Sequence, residues 1–229
     1  MNYLAGIHLS HNQGIEAIVA GSTIITIASL ARNQRKWFSK SENEGGKITT
    51  GPTTLIGRLV TPIHVCAIMA VPVSYLAAVF LNQMEQPEWY AQTSLENVLD
   101  MNVGIGPLAW IRTAAAVGTL GTIWCHGIVL RELGKQFHYI GVREKANVVS
   151  TGPYAVVRHP MYTTFLGQLA LLSVAYWSWI PLVSLGICAG AFAYKMPIEE
   201  ELIEQDPAIG PAYRDYKKKV TCKIIPYIW

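Results

Sequence analysis

Arg158-His159-Pro160 and Glu199-Glu200-Glu201 bracket one long apolar run, and together they hold the side chains best suited to chemistry. Gly152-Pro153 marks a turn, and Pro160 suits the first position of a helix. His159, because it precedes a proline, is biased toward extended backbone. A helix beginning at Pro160 presents free N–H groups and the positive end of its dipole beside Arg158, which together attract an anion. The glutamates attract a cation. Facing groups of this kind either neutralise each other or grip a ligand that carries both charges, such as an amino-acid moiety.

The two stretches meet only if the run between them folds back. Residues 161–194 contain no acidic or basic side chain, a length well beyond the roughly 20 residues that one crossing needs. The break is expected at Ser178-Trp179-Ile180-Pro181, where proline interrupts one helix and starts another and the tryptophans suit a membrane interface. The resulting antiparallel hairpin brings its two feet to one face.

Composition supports a lipid setting. Of 229 residues, 51% are hydrophobic and only 14% charged, with a mean hydropathy of +0.27. Residues 14–31, 59–81 and 113–130 are further apolar runs, interrupted only by Glu16, His64 and His126 respectively. The expectation is an all-α, polytopic membrane bundle of five transmembrane helices. Of the 18 Lys and Arg, five crossings leave only Arg112 on the N-terminal side; the 82–104 loop carries Glu85, Glu88, Glu96 and Asp100 without a base. The positive-inside rule then makes the N-terminus lumenal or outside and the C-terminus cytosolic. The net charge of +3 reflects this orientation, so no nucleic-acid partner is expected.

Other features read more plainly. The first apolar run is expected to be retained rather than cleaved as a leader. Residues 39–52 read as a polar cytosolic loop. Cys66, Cys125, Cys188 and Cys222 form no C-x-x-C pair and read as packing residues. His64 and His126 are expected to bond neighbouring helices, with no metal site. Pro62 and Pro72 should kink the second helix, for packing or for a lipid portal. Tyr213, Tyr216 and Val220, beside Lys217-Lys218-Lys219, suit a short amphipathic helix on anionic lipid or a solvated basic end.

The run Gly152-Pro153-Tyr154-x-x-x-Arg158-His159-Pro160-x-Tyr162, a helical hairpin, Glu199-Glu200, Gly210-x-x-Tyr213-x-x-Tyr216 and Ile225-Pro226 resembles the isoprenylcysteine carboxyl methyltransferases. It also resembles the wider group of integral-membrane methyltransferases that includes the phospholipid methyltransferases. The resemblance covers residues 135–229, a methyltransferase-like region joined in one integrated domain to a three-helix membrane region, 1–134.

The resemblance implies S-adenosyl-L-methionine as cofactor, a lipid-like or prenylated acceptor entering from the bilayer, and residence in the endoplasmic reticulum membrane. Carried over, cofactor contacts fall on Ala146, Asn147, Val148, Val149, Tyr154, His159, Pro160, Met161, Tyr162, Glu199 and Glu200. Arg158 and His159 are the candidate catalytic residues, and His138 or His159 would be the base if the acceptor needs one. O-methylation of a prenylcysteine-type carboxylate is the first expectation, another lipid or terpenoid acceptor the second. One departure bears on it: the family's acceptor-holding Arg falls at Met196, and Lys195 beside it should point about 100° away on a helix. Two rivals remain, a sterol-reductase-like NADPH enzyme, suggested by the similar ending from Tyr213 to Trp229, and a non-catalytic membrane scaffold.

Overall fold

A computed structural model describes residues 2–4 and 7–228, and side-chain environments within 10–228. Trp229, last residue of the stretch shared with the reductases, lies outside the described residues. Two short strands, β1 (Asn2–Leu4) and β2 (Ile7–Leu9), pair antiparallel ahead of the first helix. The helices that build the site are α1 (His11–Gly45), α2 (Leu55–Leu81), α3 (Ile105–Leu133), α4 (Pro160–Tyr176), α5 (Ile180–Gln205) and α6 (Gly210–Lys219). Ser10 caps α1 in a capping box with Gln13, and Thr54 Oγ1 accepts from the Gly57 amide at the start of α2. These side chains satisfy amides that the first turn leaves unpaired.

By length and composition, α1, α2, α3 and α5 are suited to cross a membrane. The expected fifth, α4, has 17 residues, about 26 Å at 1.5 Å per residue and short of a hydrocarbon layer of about 30 Å. Its end is set where expected. Trp177 adopts the left-handed conformation at φ 55°, and α5 resumes at Ile180 with Pro181 in its first turn. Trp177 itself is buried rather than interfacial, while Trp179 is exposed.

The helices pack as a ring: α2 lies along α5, α5 along α4, α4 along α3, and α3 along α1. α1 and α2 close it over a shorter contact. Segments 88–91 and 95–99 form short helices in the loop after α2 and seal the turn between α4 and α5. Thr93 Oγ1 and Ser178 Oγ lie 2.7 Å apart there, and the Trp179 amide donates to Thr93 O at 3.1 Å.

That end also holds a buried ion pair. Arg112 Nη2 lies 2.7 Å from Glu16 Oε1, and Arg112 Nε donates to Ala175 O at 2.9 Å. The Tyr75 hydroxyl donates to the same carboxylate, and Tyr75 stacks on Tyr176 with ring centroids 3.7 Å apart. Four helices, α1 to α4, are thus tied at one polar point inside an apolar core.

Two expectations change. Residues 39–45, read as loop, continue α1, because the Lys40–Glu44 pair lies on its exposed face and Ser41 is buried against Arg143 Nη2 at 2.9 Å. Beyond it β3 (Ile48–Thr50) pairs antiparallel with β4 (Val142–Arg143), fixing the segment after α3 against the end of α1. Cys66 and Cys125 are exposed on the bundle surface rather than packed; only Cys188 is fully buried.

Candidate functional site

The feet of the α4–α5 hairpin meet. Arg158 Nε donates to Glu200 Oε1 at 2.8 Å, and His159 Nε2 donates to the same oxygen at 3.1 Å. His159 Nδ1 lies 3.6 Å from Glu199 Oε2, so the imidazole bridges two carboxylates. The Tyr162 hydroxyl, one turn into α4, donates to Glu199 Oε1 at 2.6 Å.

A turn and a returning chain end hold these groups. Gly152 takes φ +56°, a conformation that favours glycine, and starts the 152–155 helical turn that leads to Arg158. The chain after α6 then runs beside the start of α4. The amides of Arg158 and His159 donate to Cys222 O at 3.0 Å and Lys223 O at 2.8 Å. Arg158 Nη1 donates to Val220 O and Thr221 O, each at 2.7 Å, and Thr163 Oγ1 to Ile224 O at 2.6 Å. With Nε and Nη1 committed, Nη2 is the uncommitted nitrogen of this guanidinium among the described residues. α6 lies across the opening with Tyr213 and Tyr216 buried against Val148 and Ile203, and Tyr216 donates to Tyr154 O at 2.7 Å.

These elements enclose a cavity of about 290 Å³. Of the residues singled out from the sequence, Ala146, Asn147, Val148, Val149, Tyr154, Arg158, His159, Met161, Tyr162 and Glu199 line it. Pro160 and Glu200 do not. Pro160 is buried at the start of α4, and Glu200 is turned away, toward Arg158 and Lys217 Nζ at 3.1 Å. Glu201 is exposed. Of the three glutamates 199–201, Glu199 is therefore the one whose carboxylate faces the cavity.

The cavity reaches further than these residues. Ile27, Leu30 and Ala31 of α1 and Val65, Ile68 and Met69 of α2 give it an apolar wall along the seam where those helices meet most sparsely. Sequence reasoning missed Gln34, His64, Tyr139 and Lys195, which also line it. His64 carried a signal, since a histidine within an apolar run is costly unless used. Its Nδ1 lies 2.9 Å from Val60 O, which can only accept, so Nδ1 carries the proton and Nε2 keeps its lone pair. His126, the other such histidine, bonds Thr164 Oγ1 at 2.9 Å and is not among the lining residues.

Lys195 departs from its expected direction. The side chain lines the cavity, whereas Met196 is packed in the core. His138, in the loop after α3, is pushed down to about 4 by burial, with Arg143 and Lys195 adding to the effect and Glu199 opposing it. Its ring is neutral near pH 7 and too weakly basic to remove a proton efficiently. Two polar atoms of the lining, Gln34 Oε1 and His138 Nδ1, are buried without a hydrogen-bond partner. Buried polar atoms are rarely left so, and these two are positioned to be satisfied by something in the cavity. Among the described residues no group of three or more His, Cys, Asp or Glu side chains could hold a metal ion.

Residues 110–205 match the family model described as phospholipid methyltransferase. The matched stretch begins inside α3 and ends with α5, so it takes in the hairpin, the turn at Gly152 and the cavity-facing glutamate. It begins earlier than the resemblance read from motifs and stops before the tail. The matched stretch supplies the lining residues from Leu133 to Ile203, while α1, α2 and α6 close the cavity from outside it. No curated protein matches the chain.

Proposed function

We propose that the chain is an integral-membrane methyltransferase that takes its methyl group from S-adenosyl-L-methionine and transfers it to a lipid-like acceptor. One observation carries the reading: a single cavity is lined at one end by Ala146 to Val149, Tyr154, His159, Tyr162 and Glu199, and along α1 and α2 by apolar side chains. Those residues fit the cofactor. Glu199 offers a carboxylate to its ammonium, Arg158 Nη2 a guanidinium nitrogen to its carboxylate, and Gln34 and His138 hold unpartnered polar atoms for a heterocycle. When bound, S-adenosyl-L-methionine supplies an activated methyl group on a positively charged sulfur.

The protein's part is then alignment and exclusion of water, which lower the barrier of a displacement without a catalytic dyad. Tyr162 and His159 fix the Glu199 carboxylate; α6, with Tyr213 and Tyr216 buried beneath it, covers the polar end. The apolar wall between α1 and α2 receives the hydrocarbon part of the acceptor from the bilayer. In this reading the bundle has five crossings, α4 included, and the cavity mouth faces the cytosol, where the basic residues gather. A prenylcysteine-type carboxylate is the acceptor we favour.

Calorimetry on the purified chain, with S-adenosyl-L-methionine and NADPH as separate titrants, tests the assignment. We expect the first to bind and the second not; binding of NADPH alone supports a reductase, and binding of neither supports a scaffold. Transfer of a labelled methyl group to a panel of prenylcysteines, phospholipids and terpenoid acids then identifies the acceptor.

A further inference from the structure

The amphipathic helix expected near the end of the chain turns its apolar side away from lipid. Tyr213 and Tyr216 of α6, with Val220 after it, are buried against Val148 and Ile203, so α6 cannot lie on a bilayer by that side without uncovering the cavity. The segment that follows is arranged the other way. Ile224 is fully buried, but Ile225 is 41%, Tyr227 100% and Ile228 79% exposed, with exposed Pro226 between them. This stretch is pinned, because all five carbonyls from Val220 to Ile224 accept a bond from Arg158, His159 or Thr163, and the Tyr227 amide donates to Cys222 Sγ at 3.3 Å. Single exposed apolar residues are common, whereas a contiguous patch held out by an ordered segment marks a contact surface.

Depth and charge say what it contacts. Thr163 Oγ1 donates to Ile224 O at 2.6 Å, and Thr163 lies in the first turn of α4, where the charge-free run of 161–194 begins. The patch thus leaves the bundle at the level where the apolar stretch starts, which for a membrane hairpin is the interface that tyrosine prefers. Basic side chains precede it in the chain. Lys217 is held by Glu200 and Glu204, but Lys218 has only Asp215, 2.9 Å away with both side chains largely exposed. Lys219 is exposed and has no ion pair among the described residues, and Lys223 immediately precedes Ile224. An exposed pair contributes little, so Lys218 as well as Lys219 can turn to another anion.

We infer that Ile225, Tyr227 and Ile228 sit in the headgroup layer of the bilayer, that Lys218, Lys219 and Lys223 contact anionic phospholipid beside them, and that this docking holds α6 shut over the cavity. Apolar insertion and charge attraction add in such a contact. The link to α6 is short. Val220 packs with Tyr213 and Tyr216, and the residues after it already belong to the docked segment, so lifting α6 must pull on carbonyls that Arg158 and Thr163 hold. The other tether of α6 is the turn at 206–209, where Asp206 Oδ1 accepts from the amides of Ala208 and Ile209. The docking stands apart from the methyltransferase reading; its consequence for cofactor exchange beneath α6 rests on that reading.

The test is hydrogen exchange of the full chain in nanodiscs of phosphatidylcholine alone and in nanodiscs with about one third phosphatidylserine. Wild type is compared with K218Q/K219Q/K223Q and with Y227S/I228S. No cofactor is added, so the result is independent of what the cavity binds. We expect amides 222–228 of wild type to exchange about tenfold more slowly on the anionic discs than on the neutral ones, and those of α6 to slow with them. The triple lysine variant should lose that difference, and Y227S/I228S should exchange faster on both discs. High salt should shrink the difference in wild type, a readout that needs no substitution. Equal exchange on the two discs, or a difference that survives the triple variant, overturns the inference. Protection that instead rises with protein concentration in lipid-free micelles assigns the patch to a second copy and likewise overturns it. Slowing confined to 222–228 overturns the coupling to α6.

Discussion

Buried charges occupy both ends of the bundle, and they are used differently. At one end Glu16 and Arg112 meet at 2.7 Å, Tyr75 completes the carboxylate, Ala175 O takes another guanidinium N–H, and neither charged residue lines the cavity. At the other, Arg158, His159, Lys195 and Glu199 border a cavity; His159 is engaged by two carboxylates, whereas Arg158 Nη2 and the Lys195 ammonium retain bonding capacity that their neighbours do not fill. Residue types are nearly the same. Unused valence beside a void, rather than the presence of charge, separates a ligand site from a structural clamp.

Breaking the clamp should have the largest effect. Arg112→Ala leaves Glu16 buried without its counter-ion, and a loss of about 3–5 kcal/mol is expected in denaturant unfolding of the solubilised protein. Cofactor affinity of the surviving folded fraction should match wild type; a selective loss of affinity would merge the two ends into one site.

Acidification probes the cavity end next. His138 holds its proton less tightly in the folded chain, at about 4, than at the ordinary value of 6.5, so the unfolded chain binds the additional proton between those values. Stability from this group is therefore full above pH 6.5 and falls as pH drops toward 4, by up to about 3 kcal/mol at 1.36 kcal/mol per unit. Thermal midpoints across that window should fall less steeply in H138N. Equal slopes in the two proteins would place the acid sensitivity elsewhere.

Arg158→Ala tests a residue that belongs to both categories. Its bonds to Glu200, Val220 O and Thr221 O are structural, so about 2 kcal/mol of stability should go and residues 220–228 should become open to protease. Protection of that segment in the variant would show that the carbonyl contacts are dispensable. Glu199→Gln should read out chiefly in binding, weakening cofactor affinity about tenfold, or 1.4 kcal/mol; because it also takes the counter-ion from the buried Lys195, stability should fall with it. Glu200→Gln should cost stability and leave cofactor affinity near wild type, because Glu200 faces Arg158 and Lys217 instead of the cavity.

Local signals carried much of this arrangement. The apolar run of 161–194 and Pro181 foretold a hairpin broken between Tyr176 and Ile180, and Gly152 and Pro160 foretold the turn and the helix start that bring Arg158 and His159 to its foot. Longer-range facts were not available. Glu16 and Arg112 read as isolated charges because their pairing depends on how α1 and α3 are staggered. The direction of Lys195 was misjudged because a 100° step from Met196 still reaches a cavity that extends between α4, α5 and the 138–149 segment. The partners of Arg158 were also hidden, since two are backbone carbonyls and a carbonyl leaves no trace in residue identity.

The bond from Arg158 to Val220 O spans 62 positions of chain. At about 5–20 residues per second, a ribosome needs roughly 3–12 seconds to make that intervening length. For that interval α1 to α3 are already made while the guanidinium still awaits the carbonyls that will seat it. Packing of the first helices and closure of the site are therefore separate events in time, and a substitution in the last stretch can spare the first while preventing the second.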